Sequence, residues 1–230
     1  MKSLKDSGRM RLTLFLIAVS LFCIALSVCR VFLAGTYEYL FLNWNLFLAF
    51  LPWFLTSVVV LRKVRSRIAI LLVMGIWLLF FPNCLYMLTD LIHLRQTADA
   101  PVWLDLIIVL SFAWAGLCYG FVSLMDIESF LKERFHAAPK IVTGLSVCMI
   151  YLAAFGIYIG RFLRWNSWDL LGNPTELIRG IFDRFTAGND WRIIGFTLLM
   201  GTLLNFMYFP LRHVSGKMAA DRQSAERAGS

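Results

Sequence analysis

Six apolar runs, each long enough to cross a bilayer, are the feature that most constrains this chain. A helix needs roughly 20 apolar residues to span the hydrocarbon core of a membrane. The runs lie at about 12–34, 41–61, 68–92, 103–125, 141–163 and 192–211. They predict an all-α, polytopic bundle of six transmembrane helices that occupies residues 12–211.

Composition excludes a soluble domain. Of the 230 residues, 60% are hydrophobic and only 16% are charged, and the mean hydropathy is +0.72. The hydrophobic core of one water-soluble domain does not need so many apolar residues. The net charge of +8 lies mainly in short connections between apolar runs, where it reports topology, so no nucleic acid is expected as a partner. The expected partner is membrane lipid.

The basic residues predict which helix ends face the cytoplasm. Fifteen of the 22 Lys and Arg residues fall in the amino-terminal segment, in every second connection or in the tail. Such an excess marks cytoplasmic segments. We therefore predict a multi-pass plasma-membrane protein whose N-terminus and C-terminus are both cytoplasmic. Residues 1–11 form a basic cytoplasmic segment, and residues 212–230, which lack apolar periodicity, are predicted to be a disordered cytoplasmic tail.

The longest external connection, about 164–191, carries a further helix signal. It contains Asn173 and Pro174, followed by apolar residues at helical spacing. Asn as the cap and Pro at the first helical position predict a short amphipathic helix on the outer surface before the last span. Such a helix either covers the bundle or acts as a lid over a site.

Uncommon polar residues gather at the predicted outer ends of the helices, and their cost inside a membrane suggests a site. In the third run Pro82 kinks the helix, and Asn83, Asp90 and His93 fall on one stripe. Asp90 and His93 can present a carboxylate and an imidazole to one point, as acid–base catalysis or metal ligation requires. The pair is at most half of a metal site. Its alternative role is an interfacial cap or a structural hydrogen-bond network.

Asp105 opens the fourth run and completes the set of candidate catalytic residues. A carboxylate in the first turn of a helix is favoured by the helix dipole, which is a sufficient structural role. Because Asp90 and Asp105 flank one short connection, their helices are expected to be neighbours and the two carboxylates could face each other. They would then need a cation, a shared proton or an arginine. Arg30, near the outer end of the first run, needs Asp90, Asp105, Glu38 or water as its partner.

The segment GRFLRWNSWDLL, residues 160–171, predicts a headgroup-binding surface. Guanidinium and amide groups bind phosphate or carboxylate through hydrogen bonds, which for arginine are often bidentate. The alternative is an ordinary interfacial belt, in which Trp anchors the helix and Arg snorkels outward. Together with asparagines that also fit as caps or inter-helix hydrogen-bonding groups, the candidate ligand-binding residues are Asn43, Asn45, Asn83, Arg161, Arg164, Trp165, Asn166 and Asp169.

Four strings of the sequence carry a family resemblance. They are, in chain order, FLNWNLFLAFLPW, FFPNCLYMLTDLIHL, PVWLDLIIVLSFAWAG and GRFLRWNSWDLL. In this order and spacing they resemble the bacterial membrane-protein family known as domain of unknown function 1361, over about Leu40 to Leu211. Cys84 stands where a small residue such as alanine is expected. The resemblance implies a bacterial multi-pass membrane protein and brings no assigned activity, cofactor or catalytic residue.

Three functions of different classes follow from these residues. Binding of an anionic lipid or envelope ligand at the outer face needs only the Arg and Trp cluster, and it is the function that we predict. One alternative is an integral-membrane enzyme, with or without a metal ion, that acts on a lipid or envelope precursor through Asp90, His93 and Asp105. The other is a small transporter or assembly subunit, although the cytoplasmic halves of the runs hold little that is polar beyond Ser, Thr and Gly.

The chain contains no GxSxG, HExxH, Walker or dinucleotide-binding motif. The sequence therefore assigns no reaction, cofactor, metal or oligomeric state.

Overall fold

A computed structural model shows the protein as a bundle of long helices. It describes the main chain of residues 2–62, 64, 66–94, 101–163, 165, 172, 175, 176, 179 and 190–228. Six helices in these ranges are long and apolar enough to cross a membrane, and no strand occurs within them. The prediction of an all-α, six-span membrane bundle is confirmed.

The helices follow the apolar runs closely. They are α1 (Lys2–Ala34), α2 (Phe41–Leu61), α3 (Arg67–Tyr86), α4 (Val102–Phe135), α5 (Pro139–Tyr158) and α6 (Asp190–Ala228). A 3-10 helix, Met87–His93, directly continues α3, and a π-helical segment, Ile159–Leu163, continues α5. The third and fifth spans therefore both leave α-helical geometry before they end.

Helix α4 lies at the centre and packs against α1, α2, α3 and α5. Its contact with α3 is close, because a Cβ added at Gly120 would lie 2.9 Å from Cys84 Cβ. Small residues let helix backbones approach in this way inside a membrane. Nearby, the buried Trp77 indole donates to Ser123 Oγ at 2.9 Å, which satisfies both polar groups in the core.

Helices α1 and α4 run antiparallel and are joined by polar contacts at both ends and in the middle. Arg9 pairs with Asp126 at 2.6 Å, and Arg30 pairs with Asp105 at 2.9 Å. Between them, the Ser20 and Tyr119 hydroxyls are 2.8 Å apart. The two arginines are separated by three heptads along α1, and the two aspartates are separated by three heptads along α4. The arginines therefore share one face of α1, and the aspartates share one face of α4.

The helix ends differ from the predictions in two places. Helix α4 continues beyond the predicted end at about 125 to Phe135. Helix α6 continues to Ala228, through most of the segment predicted to be a disordered tail. Ala, Arg, Lys, Met, Gln and Glu are good helix formers, so this segment continues the helix although it has no apolar face.

Two other predicted segments differ from the prediction or are described only in part. The basic segment 1–11 is helical from Lys2 onward and continuous with α1. The amphipathic outer helix before the last span falls largely outside the described residues. Thr175, Glu176 and Arg179, which are described, are helical and exposed.

Candidate functional site

Buried and half-buried charged residues form clusters at both ends of the bundle. We call one the Asp90 end, where Asp90, Asp105, Arg30 and Arg161 lie, and the other the Asp126 end, where Asp126, Glu128, Arg9 and Arg212 lie. Arg9 near the start of α1 contacts Asp126, and Arg212 on α6 contacts Glu128 at 2.9 Å. The first turns of α1 and the last turns of α6 therefore lie at the same end.

The Asp90 and Arg161 side chains form an ion pair at the Asp90 end. Asp90 is fully buried, and Asn45 Nδ2 of α2 donates to Asp90 Oδ2 at 3.1 Å. Arg161 Nε donates to Thr89 Oγ1 at 3.0 Å, and the guanidinium carbon stands 4.2 Å from the centre of the Tyr86 ring. Side chains from three spans thus converge on one charge pair.

Local backbone geometry places this pair. Asp90 lies on the 3-10 helix that follows the Pro82-containing α3, and Arg161 lies on the π-helical segment after α5. The two spans touch at Gly156, where an added Cβ would lie 2.9 Å from Pro82 Cγ. Single π-helical turns occur frequently at functional sites, and here one brings Arg161 to the buried carboxylate.

A second ion pair lies at the same end. Arg30 donates to both oxygens of Asp105, from Nε at 2.9 Å and from Nη2 at 3.4 Å. Glu38 accepts from Arg30 at 3.3 Å, and the guanidinium carbon lies 4.7 Å from the centre of the Tyr39 ring. Burial raises the pKa of Tyr39 above its ordinary value, and the nearby Asp105 carboxylate adds to this rise.

The structure places the remaining predicted residues with different neighbours. Asn43 Nδ2 donates to Ser27 Oγ of α1 at 3.0 Å, so this asparagine joins two helices. Asn83 is half-buried beside Pro82, and Trp165 is half-buried, with its backbone N–H donating to the Ile159 carbonyl. Arg164, Asn166, Asp169 and the side chain of His93 lie outside the described residues.

A metal site at Asp90 and His93 stays a prediction. Among the described side chains, no group of three or more His, Cys, Asp and Glu is arranged to hold a metal ion. What the described geometry supplies at Asp90 is a carboxylate held by arginine and amide donors. The bonds to those donors restrict the orientation of the carboxylate.

The comparison with known proteins identifies the family. The family described as "Protein of unknown function (DUF1361)" matches residues 44–207, well over half of the chain. The protein belongs to the DUF1361 family. No curated protein and no solved structure matches it significantly.

The DUF1361 region contains Asp90, Arg161 and Asn45, but helix α1 precedes it. Arg9 and Arg30 are therefore supplied to carboxylates of the family region from outside that region. The Asp90 and Arg161 pair, in contrast, is built within the family region itself.

The cluster at the Asp126 end of this DUF1361 protein is not among the sites predicted from the sequence. Buried Glu128 accepts from Ser146 at 2.7 Å and from the Tyr208 hydroxyl at 2.9 Å, and it pairs with Arg212. Asp126 accepts from Thr56 at 2.8 Å as well as from Arg9. The available signal was the pair of acidic residues directly after an apolar run, but the predicted span ended just before them.

Proposed function

We propose that this DUF1361 membrane protein binds the headgroup of an anionic lipid or envelope ligand at the Asp90 end. The observation that carries the proposal is the buried Asp90 and Arg161 ion pair, which joins a 3-10 helix to a π-helical segment inside an apolar bundle. Ionisable residues in a membrane are expensive and mark candidate ligand or ion sites, and a buried ion pair is weak evidence that its role is to stabilise the fold.

The chemistry of the pair suits exchange with an anionic ligand. A guanidinium binds phosphate and carboxylate with the same hydrogen-bond geometry, so a phosphate can replace Asp90 as the partner of Arg161. Asn45 would then still donate to Asp90. Thr89 and the Tyr86 ring hold the guanidinium plane from two other directions.

The test measures lipid retained by purified protein in native mass spectrometry. The probes are phosphatidylglycerol and a polyprenyl phosphate, each compared with phosphatidylcholine. We expect Arg161→Gln to lower retention of an anionic probe at least about tenfold, which corresponds to the loss of about 1.4 kcal/mol of binding energy. Arg192→Gln is the matched control, because Arg192 is exposed at the start of α6 and stacks on Trp191.

A second variant separates a ligand site from a purely structural pair. Asp90→Asn removes the carboxylate that competes with the ligand for Arg161, so we expect it to strengthen binding of the anionic probe. A structural pair would instead lose binding in both variants through unfolding. Equal retention by Arg161→Gln and Arg192→Gln, or weaker binding by folded Asp90→Asn, would contradict the proposal.

A second candidate function is transport. It draws support from one observation, namely that buried charged clusters lie at both ends of the bundle and not only at the Asp90 end. Ion pairs that join different helices at opposite ends are suited to opening in turn. Uptake of a labelled anion into vesicles that contain the protein, abolished by both Arg161→Gln and Arg212→Gln, would favour transport over binding alone.

A further inference from the structure

A basic groove lies along the exposed side of α6 at the Asp126 end. Its volume is about 580 Å³, and the described residues that line it are Phe209, Arg212, His213, Gly216 and Lys217. His213, Gly216 and Lys217 are all exposed. The groove is at the opposite end of the bundle from Asp90, and the proposed function does not use it.

The groove residues form a single stripe ordered from apolar to basic. Positions 209, 212, 213, 216 and 217 recur at three- and four-residue spacing, so they share one face of the helix. Phe209 lies on the membrane side, and the basic residues follow over the next two turns. This order matches an amphiphile that has its acyl chains beside Phe209 and its charge beside Arg212, His213 and Lys217.

Arg212 is held in place before any ligand arrives. Its Nε donates to Glu128 at 2.9 Å, and both Nη atoms lie 3.1 Å from Thr143 Oγ1. Side chains that are already ordered lose little conformational entropy on binding. Glu128 balances one positive charge, and Lys132, which also contacts Glu128 at 3.4 Å, adds another, so the groove and its surroundings carry a net positive charge.

Gly216 opens the groove between the basic residues. A Cβ added there would meet nothing within 4 Å. The absence of a side chain leaves room for a headgroup between Arg212 and Lys217.

We infer that this groove is a binding site for the phosphodiester headgroup of an anionic phospholipid. Two properties favour a lipid over a free anion: the groove lies in the last turns of a helix segment apolar enough to span a membrane, and it begins at an aromatic residue. Basic residues beside a membrane surface attract anionic lipid.

The experiment uses the full-length protein in nanodiscs that contain a photoreactive phosphatidylglycerol or a photoreactive phosphatidylcholine. Cross-linked peptides are mapped by mass spectrometry. We expect phosphatidylglycerol to label α6 around Phe209 to Lys217 at least fivefold more than phosphatidylcholine does. Arg161→Gln should leave this labelling unchanged, so the site can fail or succeed independently of the proposed function.

Two groove variants and their controls test the assignment. Gly216→Leu fills the groove without changing charge, and Gly144→Leu is its control, since Gly144 is also exposed with nothing within 4 Å of an added Cβ. His213→Gln with Lys217→Gln removes the two exposed basic side chains and keeps Arg212, and Lys140→Gln at the start of α5 is its control. We expect both groove variants to lose the preference for phosphatidylglycerol and both controls to keep it.

Two results would overturn the inference. One is an unchanged preference in either groove variant. The other is complete displacement of the photoreactive lipid by millimolar inorganic phosphate, which would make the groove a site for a free anion.

Discussion

Arg30 is fully buried, and two carboxylates of very different exposure balance its charge. Asp105 is 1% exposed and accepts two hydrogen bonds from the guanidinium, whereas Glu38 is 53% exposed and accepts one. Removal of one partner from a buried ion pair leaves an uncompensated charge in a medium that solvates it poorly, whereas an exposed partner is replaced by water. The two carboxylates should therefore contribute unequally to the free energy of unfolding.

We predict that Asp105→Asn lowers the free energy of unfolding by about 3–5 kcal/mol. The same change of acid to amide at the exposed partner, Glu38→Gln, should lower it by less than about 1 kcal/mol. Titration with sodium dodecyl sulfate in mixed micelles measures both. Equal losses for the two variants would show that burial does not decide the strength of these pairs.

At this scale the sequence predicts which residues need partners but not which partners they find. The cost of charge in a membrane was enough to single out Asp90, Asp105, Arg30 and Arg161. Asp90 and Asp105 flank one connection and were considered as a facing pair, yet each binds its own arginine. Their pairing depends on how α1 and α5 are rotated against α3 and α4, and no local pattern contains that information.

Helix α1 makes polar contacts with α4 at both ends and in the middle, beside the apolar packing of Leu16 and Cys23 in the core. Lipid tails are as apolar as Leu, so burial of apolar surface does not drive helices together inside a membrane, and packing and polar contacts decide the association. The pairs Arg9 with Asp126 and Arg30 with Asp105 fix both ends of α1, and Ser20 with Tyr119 fixes the middle.

We predict that the two ion pairs set the register between α1 and α4. In a chain whose native cysteines are replaced by alanine, a bifunctional methanethiosulfonate reagent with a short spacer should join Ser20→Cys to Tyr119→Cys, because the native hydroxyls are 2.8 Å apart and removal of the Tyr119 ring leaves a gap wider than a disulfide can bridge. Adding Arg9→Gln and Arg30→Gln should reduce the cross-linked fraction severalfold, as seen on non-reducing gels.

The exposed Arg192→Gln serves as the control for loss of positive charge. If the cross-link formed as completely in the double glutamine variant as in the parent, α1 would be held by packing alone.

At the scale of whole helices, length and hydropathy were sufficient predictors. All six spans lie where the apolar runs place them. The helix ends were less predictable because charged residues stop a hydropathy window without stopping a helix. Asp126 and Glu128 closed the predicted fourth span, yet they lie inside α4 and take part in buried contacts. The 3-10 and π-helical segments at the Asp90 end have no comparable sequence signal apart from Pro82.

The molecule as a whole has its two chain ends on one side. Arg9 and Arg212 both contact α4 at the Asp126 end, as an even number of spans requires. The excess of Lys and Arg in the segments at this end predicts that it faces the cytoplasm. The Asp90 end and the connection 95–100 then face the opposite side.

Reporter fusions check this orientation. Green fluorescent protein fused after residue 230 should fluoresce, and alkaline phosphatase fused there should be inactive, because each reporter is active on one side of the membrane only. Fusions within the connection 95–100 should give the reverse pattern. A fluorescent fusion at 95–100 would invert the bundle and place the proposed headgroup site inside the cell.

Helix α1 precedes the region that defines the DUF1361 family, yet two of its arginines, Arg9 and Arg30, neutralise carboxylates within that region. A protein cut down to the family region would carry Asp105 and Asp126 without their native cations, both in a non-aqueous setting. The part of the chain that must assemble together is therefore larger than the part that sequence comparison assigns to the family. Where other family members keep these two aspartates, we expect a preceding hydrophobic helix with basic residues three heptads apart, even if its remaining sequence has diverged beyond detection.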